Sequence, residues 1–192
     1  MFLVSLLSLT FAQDYQEGDL IFHTSRSSQS EAIQLATNSR FSHVGVIVLE
    51  DGEPMVVEAI RTVSITPVSE WIRRGEGGKY RLMRPRDPLS SSQLEGMREA
   101  GQPHAGKPYD LLFGWSDEKM YCSELVWKIY KEGAGVELST PRRMDSYQVS
   151  SPRVRTVIEQ RWGASLNWAE LMVAPSDLAE SPLLETVFDT SQ

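Results

Sequence analysis

The segment from Val44 to Ile60 constrains the fold of this chain more than any other. Val44–Leu49 is a dense β-branched run, Asp51-Gly52 follows, and Met55–Ile60 is a second run. Two extended runs about an Asp-Gly pair predict a hairpin closed by a two-residue turn. That turn pairs Glu50 with Glu53 and sets Gly45 opposite Glu58 and His43 opposite Ile60. Alternate side chains share a face. Val44, Val46 and Val48 therefore join Met55, Val57 and Ala59 on one apolar face. His43 and Glu58 project together from the other as diagonal neighbours, about 7–8 Å apart at the backbone. Gly45 has no side chain to separate them. A four-residue loop keeps this register, whereas an odd loop sends Glu58 to the opposite face.

The flanking sequence supplies the other elements. Gly18–Phe22 reads as a turn leading into a strand, and Ser28-Gln29-Ser30-Glu31 as a capping box opening a helix through Thr37. Thr62–Thr66 is a third strand ended by Pro67, Val68–Arg74 a short helix, and Lys79–Arg84 a fourth strand. Ser92-Gln93-Leu94-Glu95 is a second capping box, opening a helix to about Gly101. A third helix begins at Cys122 or Ser123, with Leu125, Val126, Ile129 and Tyr130 on one apolar face, and Gly133 and Gly135 end it. From about Ser139 the chain is an extension without clear pattern, and its last dozen residues read as a frayed tail. Strands flanked by separate helices indicate an α+β domain.

A chain of 192 residues, 41% hydrophobic, suits one domain with one core. A net charge of -7 with no basic cluster argues against sequence-independent nucleic-acid binding. The apolar stretch Phe2–Ala12 is too short to span a bilayer, which needs about 20 residues, and no later stretch is apolar enough. It fits an export signal cut after Ala12, leaving residues 13–192 as the domain and placing the protein in the periplasm or outside the cell. The absence of Lys and Arg before it leaves two other readings, a buried first strand or a start codon placed too early.

The single cysteine, Cys122, excludes an intramolecular disulfide, a CxxC redox pair and a cysteine-built zinc site. It is either a buried small hydrophobe or a reactive thiol. Its place at a helix N-terminus favours the thiolate, and a neighbouring imidazolium would favour it further. A carboxylate can hold that imidazole's ring and tautomer, and the Cys122 N–H can steady an oxyanion. His23 lines a site or lies at the surface, and His104 reads as an exposed loop residue. Lys119 reads as a solvated loop charge. Three scattered histidines without an HExxH-like pair argue against a metal.

Gly18-Asp19-Leu20-Ile21-Phe22, Ser28-Gln29-Ser30, Phe41-Ser42-His43-Val44-Gly45 and Val57-Glu58-Ala59 resemble, in order, the opening of the YiiX-like family. The likeness continues through Thr66-Pro67, Glu70-Trp71-Ile72, Gly106-Lys107-Pro108-Tyr109-Asp110 and Trp115-Ser116-Asp117 to Tyr121-Cys122-Ser123-Glu124-Leu125-Val126-Trp127. These are circularly permuted papain-like proteins of the NlpC/P60 superfamily. The resemblance implies a small antiparallel sheet packed against the nucleophile helix. It implies Cys122 as nucleophile, His43 as general base and Glu58 as the residue orienting the histidine. Tyr121, Asp117 and Tyr109 fall at motif or neighbouring positions that imply pocket, oxyanion or loop-fixing roles. The implied activity is a cofactor-free thiol amidase or peptidase, on peptide or cell-wall-type amides. A lipid-directed acyltransferase or phospholipase and a non-catalytic binding module are the alternatives.

Overall fold

The computed structural model describes residues 13–190; the expected export signal lies outside them. Strand β1, Leu20–His23, is followed by helix α1, Ser30–Thr37. The expected Ser28–Glu31 capping box does not form. Gln29 holds the cap position in a helical conformation, and its side-chain amide instead donates to the Tyr109 hydroxyl at 2.9 Å.

The hairpin forms in the expected register. Strands β2, His43–Glu50, and β3, Glu53–Ala59, pair Glu50 with Glu53 and Val46 with Val57. Asp51 (φ 51°) and Gly52 (φ 84°) are both left-handed, as a two-residue turn matching the strand twist requires. Strand β4, Val63–Pro67, adds to β3, and helix α2, Val68–Arg74, follows at once. Strand β5, Arg81–Pro85, pairs with β1.

Helix α3, Ser91–Gly101, starts one residue before the second expected capping box, because Ser90 and Gln93 form the box instead. Ser90 Oγ accepts the Gln93 N–H at 3.3 Å, and Gln93 Oε1 accepts the Ser90 N–H at 3.0 Å. Leu89 and Leu94, flanking this cap, pack against the same core cluster, which is the hydrophobic staple that selects this register over the alternative two residues on.

Helix α4, Cys122–Lys128, runs on as a π-helical turn, Ile129–Ala134, to a left-handed Gly135 (φ 71°). Beyond it lie strand β6, Arg142–Arg143; helix α5, Pro152–Trp162; strand β7, Leu171–Met172; helix α6, Pro175–Ala179; and strand β8, Leu184–Asp189. The six-stranded sheet has the order β4-β3-β2-β1-β5-β8, with antiparallel neighbours throughout. Strand β8 overturns the expectation of a frayed tail. Only Leu184 of this edge strand enters the core, so its apolar signal in the sequence is weak.

Both sheet faces are covered. Cys122, Leu125 and Val126 of α4 pack on Leu20, Phe22, Val44 and Val46. Val68 and Trp71 of α2 pack on Ile21, Ile47, Val56 and Leu82 of the opposite face. The sequence anticipated only the first of these layers. The face carrying His43 and Glu58 therefore lies under α2 rather than facing solvent.

Candidate active site

His43 starts β2 and Glu58 lies near the end of β3, at the edge of the sheet where α4 begins. His43 Nε2 and Glu58 Oε2 are 2.6 Å apart. Gly45 permits this meeting. A Cβ there would lie 2.3 Å from Val56 Cγ1 and 2.9 Å from the Val57 carbonyl oxygen. Cys122 neighbours His43, and each of the two groups perturbs the other's titration. The structure thus brings Cys122, His43 and Glu58 into one chain of contacts, and all three are buried.

The electrostatics follow from this burial and pairing. Burial opposes the charge on His43, but the hydrogen bonds and charges of Cys122 and Glu58 outweigh it and raise its pKa to about 9. Burial likewise opposes the Glu58 carboxylate. His43, Thr66 and Arg74 overcome that penalty and lower its pKa to about 2. Burial pushes the Cys122 thiol up, yet His43, the Val44 N–H and the Ser123 hydroxyl draw it below the ordinary range. The arrangement favours a thiolate–imidazolium pair.

Two tethers of Glu58 were not anticipated. Thr66 Oγ1 donates to Glu58 Oε1 at 2.7 Å, and the Arg74 guanidinium bonds the same oxygen. Thr66 was accessible in principle, because β4 sets Ser64 opposite Glu58 and Thr66 on the same face two residues on. Arg74 reaches the site only through the folding of α2 over the sheet. The same helix stacks Trp71 on His23 at 3.9 Å and on His43 at 5.8 Å. His23 is buried, and burial beside His43 lowers its pKa to about 2, so its ring is neutral.

Tyr109 stands beside the thiol as a hydrogen-bonding partner of Cys122, with Gln29 donating to its hydroxyl. Burial raises its pKa well above the usual phenol value, so it remains a donor. Tyr121 lines an apolar pocket with Cys122, and its hydroxyl accepts the Val173 N–H at 3.2 Å. Asp117 does not line the pocket at Cys122. Its exposed carboxylate pairs with Lys128 at 2.8 Å, which fixes the loop before α4. Glu124 accepts the Tyr121 N–H at 3.4 Å and pairs with Lys128 at 2.8 Å, while burial raises its pKa to about 7. His104, expected to be exposed, is buried, with Nδ1 3.0 Å from Lys107 Nζ. Lys119 is exposed, as expected.

Comparison with known proteins places this geometry in a lineage. Residues 14–188 match the family model described as permuted papain-like amidase enzyme, YaeF/YiiX, C92 family. The chain is 41% identical over 177 residues to the uncharacterized protein YiiX of Escherichia coli K12, covering 92% of this chain and 88% of that protein. A crystal structure of the metalloprotein yiiX from Escherichia coli O157:H7 superposes with a TM-score of 0.87 at 40% identity, covering 91% of this chain and 97% of that one. The chain belongs to the YaeF/YiiX family of permuted papain-like amidases.

Proposed function

We propose that this protein is a thiol amidohydrolase that forms an acyl-enzyme on Cys122. The observation that carries this reading is the continuous contact from Cys122 through His43 to Glu58, in a member of an amidase family. The Cys122 thiolate attacks an amide carbonyl. The Cys122 N–H is free of any intrahelical carbonyl at the first helical position. That N–H and the Tyr109 hydroxyl receive the charge developing on oxygen. His43 gives its proton to the leaving nitrogen, then takes one from the water that resolves the thioester. Glu58 holds the imidazole in place, and Thr66 and Arg74 hold Glu58. Tyr121 shapes the pocket wall.

Peptide and cell-wall-type amides are candidate substrates on the strength of the family. A second reading, chemistry on lipid acyl groups, draws on the apolar pocket that opens at Cys122. The metalloprotein description of yiiX raises a metal for this chain. Among the described residues, no group of three or more His, Cys, Asp or Glu side chains could hold an ion. Both Glu58 oxygens are already engaged. These residues do not fit a metal centre, and no step here passes through one. No helix among the described residues is long and apolar enough to cross a membrane. We also propose export with cleavage after Ala12, checked by mass spectrometry of the mature N-terminus; an intact Met1 defeats it.

The test of the catalytic reading is intact-mass spectrometry during exposure to p-nitrophenyl acetate. An acetyl group is expected on Cys122 and absent in Cys122→Ser. If wild-type Cys122 never takes up the acyl group, the reading fails.

A further inference from the structure

Unspent hydrogen-bonding capacity collects on one side of His43. Five buried side-chain polar atoms of the described residues lack a partner. Three of them, His23 Nδ1, Gln29 Oε1 and Arg74 Nε, belong to residues that line one cavity together with His43. His23 and Gln29 are 3% and 8% exposed. Buried polar atoms are normally paired, so three orphans around one cavity call for partners from outside the chain.

The charge of this cavity is one-sided. Arg26, Arg73 and Arg74 line it, and none of its lining residues carries a carboxylate. Arg74 is held by Glu58, which leaves its Nε–H as a spare donor. Arg26 and Arg73 are exposed and form no ion pair among the described residues. Guanidinium forks match a carboxylate. Gln29 offers the opposite polarity. Its amide nitrogen is spent on Tyr109, and its free Oε1 can only accept. The cavity thus presents donors for an anion and a buried acceptor for an N–H. An amino acid carries both groups on a single carbon atom.

The reaction fixes which part of a substrate lies here. The leaving nitrogen takes its proton from His43, so the cavity that includes His43 receives the leaving group. Arg74 stands one carboxylate away from His43, across Glu58, which sets the cationic wall close to the scissile nitrogen. Resting on the acyl-enzyme reading, we propose that the leaving group is a single amino acid with a free α-carboxylate, so that the protein trims peptides from the carboxyl end. Arg26, Arg73 and the spare Nε–H of Arg74 hold that carboxylate. Gln29 Oε1 accepts the N–H of the departing residue.

The Cys122 thiolate forms a C–S bond to the carbonyl carbon of the penultimate residue, and the C–N bond breaks. The nitrogen takes the His43 proton, and the terminal residue departs as a free amino acid. Water then forms a C–O bond to the acyl carbon and gives a proton to His43. The C–S bond breaks, releasing the shortened peptide and restoring the thiolate–imidazolium pair.

The experiment uses the full chain and a library of acetyl-Ala-Xaa peptides, with each of the common amino acids at Xaa. One set has free carboxyl ends, and the other has carboxamide ends. Mass spectrometry follows the release of Xaa or its amide. The free acids are expected to be cleaved with a kcat/KM about tenfold or more above the amides, as for a charged hydrogen bond, mainly through a lower KM. Arg73→Ala is expected to remove most of this preference, and Arg73→Lys to restore part of it, since lysine keeps the charge but not the fork. Arg143→Ala, in the separate β6–β7 pair, is expected to leave the preference unchanged. Suppose p-nitrophenyl acetate acylates Cys122, yet acids and amides are cleaved equally or neither set releases Xaa. Either result overturns the carboxyl-end substrate and leaves the acyl-enzyme reading standing. Failure of p-nitrophenyl acetate to acylate Cys122 brings down both.

Discussion

Glu58 Oε2 lies 2.6 Å from His43 Nε2, while its other oxygen is shared by Thr66 and Arg74. The carboxylate is fully buried, and three groups orient it. Replacing Glu58 by Ala removes the Nε2 partner of the buried His43 and the ion-pair partner of the partly exposed Arg74. The expected loss of stability is about 3–5 kcal/mol, measured by urea denaturation. Glu58→Gln keeps the shape but not the charge. It is expected to lower kcat by roughly 10²–10⁴-fold with KM little changed, and unaltered turnover would remove Glu58 from the orienting role.

Thiol reactivity should carry a distinctive pH signature. Cys122 lies below the ordinary thiol range, and His43 is raised to about 9. Alkylation by iodoacetamide is expected to stay fast well below pH 8.5, the value of a free thiol. Amide turnover is expected to fall as pH rises through about 9, where the imidazolium proton is lost. His43→Ala removes the counter-charge while the burial remains, so the thiol should then titrate above its ordinary value. A free-thiol profile in both proteins contradicts the paired state.

The same groups set the stability profile. His43 is raised from 6.5 to about 9, so its contribution is complete below 6.5 and is lost as pH climbs from 6.5 through 9. Glu58 is lowered from 4.5 to about 2, so its contribution is complete above 4.5 and is lost as pH falls toward 2. Thermal unfolding followed against pH should give the highest Tm between these limbs. The alkaline limb should flatten in His43→Ala.

Gly45 is a steric requirement of the hairpin. In Gly45→Ala the new methyl meets Val56 and the Val57 carbonyl, and it lies 3.5 Å from Glu58 Cβ. A cost of about 1–3 kcal/mol is expected from such overpacking, with turnover falling because the β2–β3 spacing carries the His43–Glu58 pair. Wild-type stability in this variant would disprove the close approach.

Strand β8 makes the C-terminal segment structural. Leu184→Ala is expected to cost roughly 2–5 kcal/mol, since Leu184 is 2% exposed. Val187→Ala, at 36% exposure, should change stability by less than about 0.5 kcal/mol. Equal, small effects from the two would return this segment to the status of a tail.

Local rules carried the reading of the hairpin. The Asp51-Gly52 turn, the alternation of Val44, Val46 and Val48, and the place of Gly45 together fixed which residues share a face, because hairpin register depends on a few consecutive residues. The cap of α3 was misplaced by two residues, since Ser90 and Ser92 offer equivalent hydroxyls. The packing of Leu89 and Leu94 chose between them. β8 was lost for the same kind of reason, because one buried leucine on an edge strand leaves little periodicity.

By itself, the sequence determined the His43–Glu58 pairing, the placement of Cys122 at a helix start and the family resemblance. Each rests on short-range pattern or ordered motifs. Tertiary structure alone decided that α2 folds over the face carrying His43 and Glu58, bringing Arg74 to Glu58 and Trp71 to the histidines. It also decided that an apolar pocket opens at Cys122. Those contacts join residues far apart in the chain, and their geometry is set by how helices pack on a twisted sheet, which no local spacing encodes.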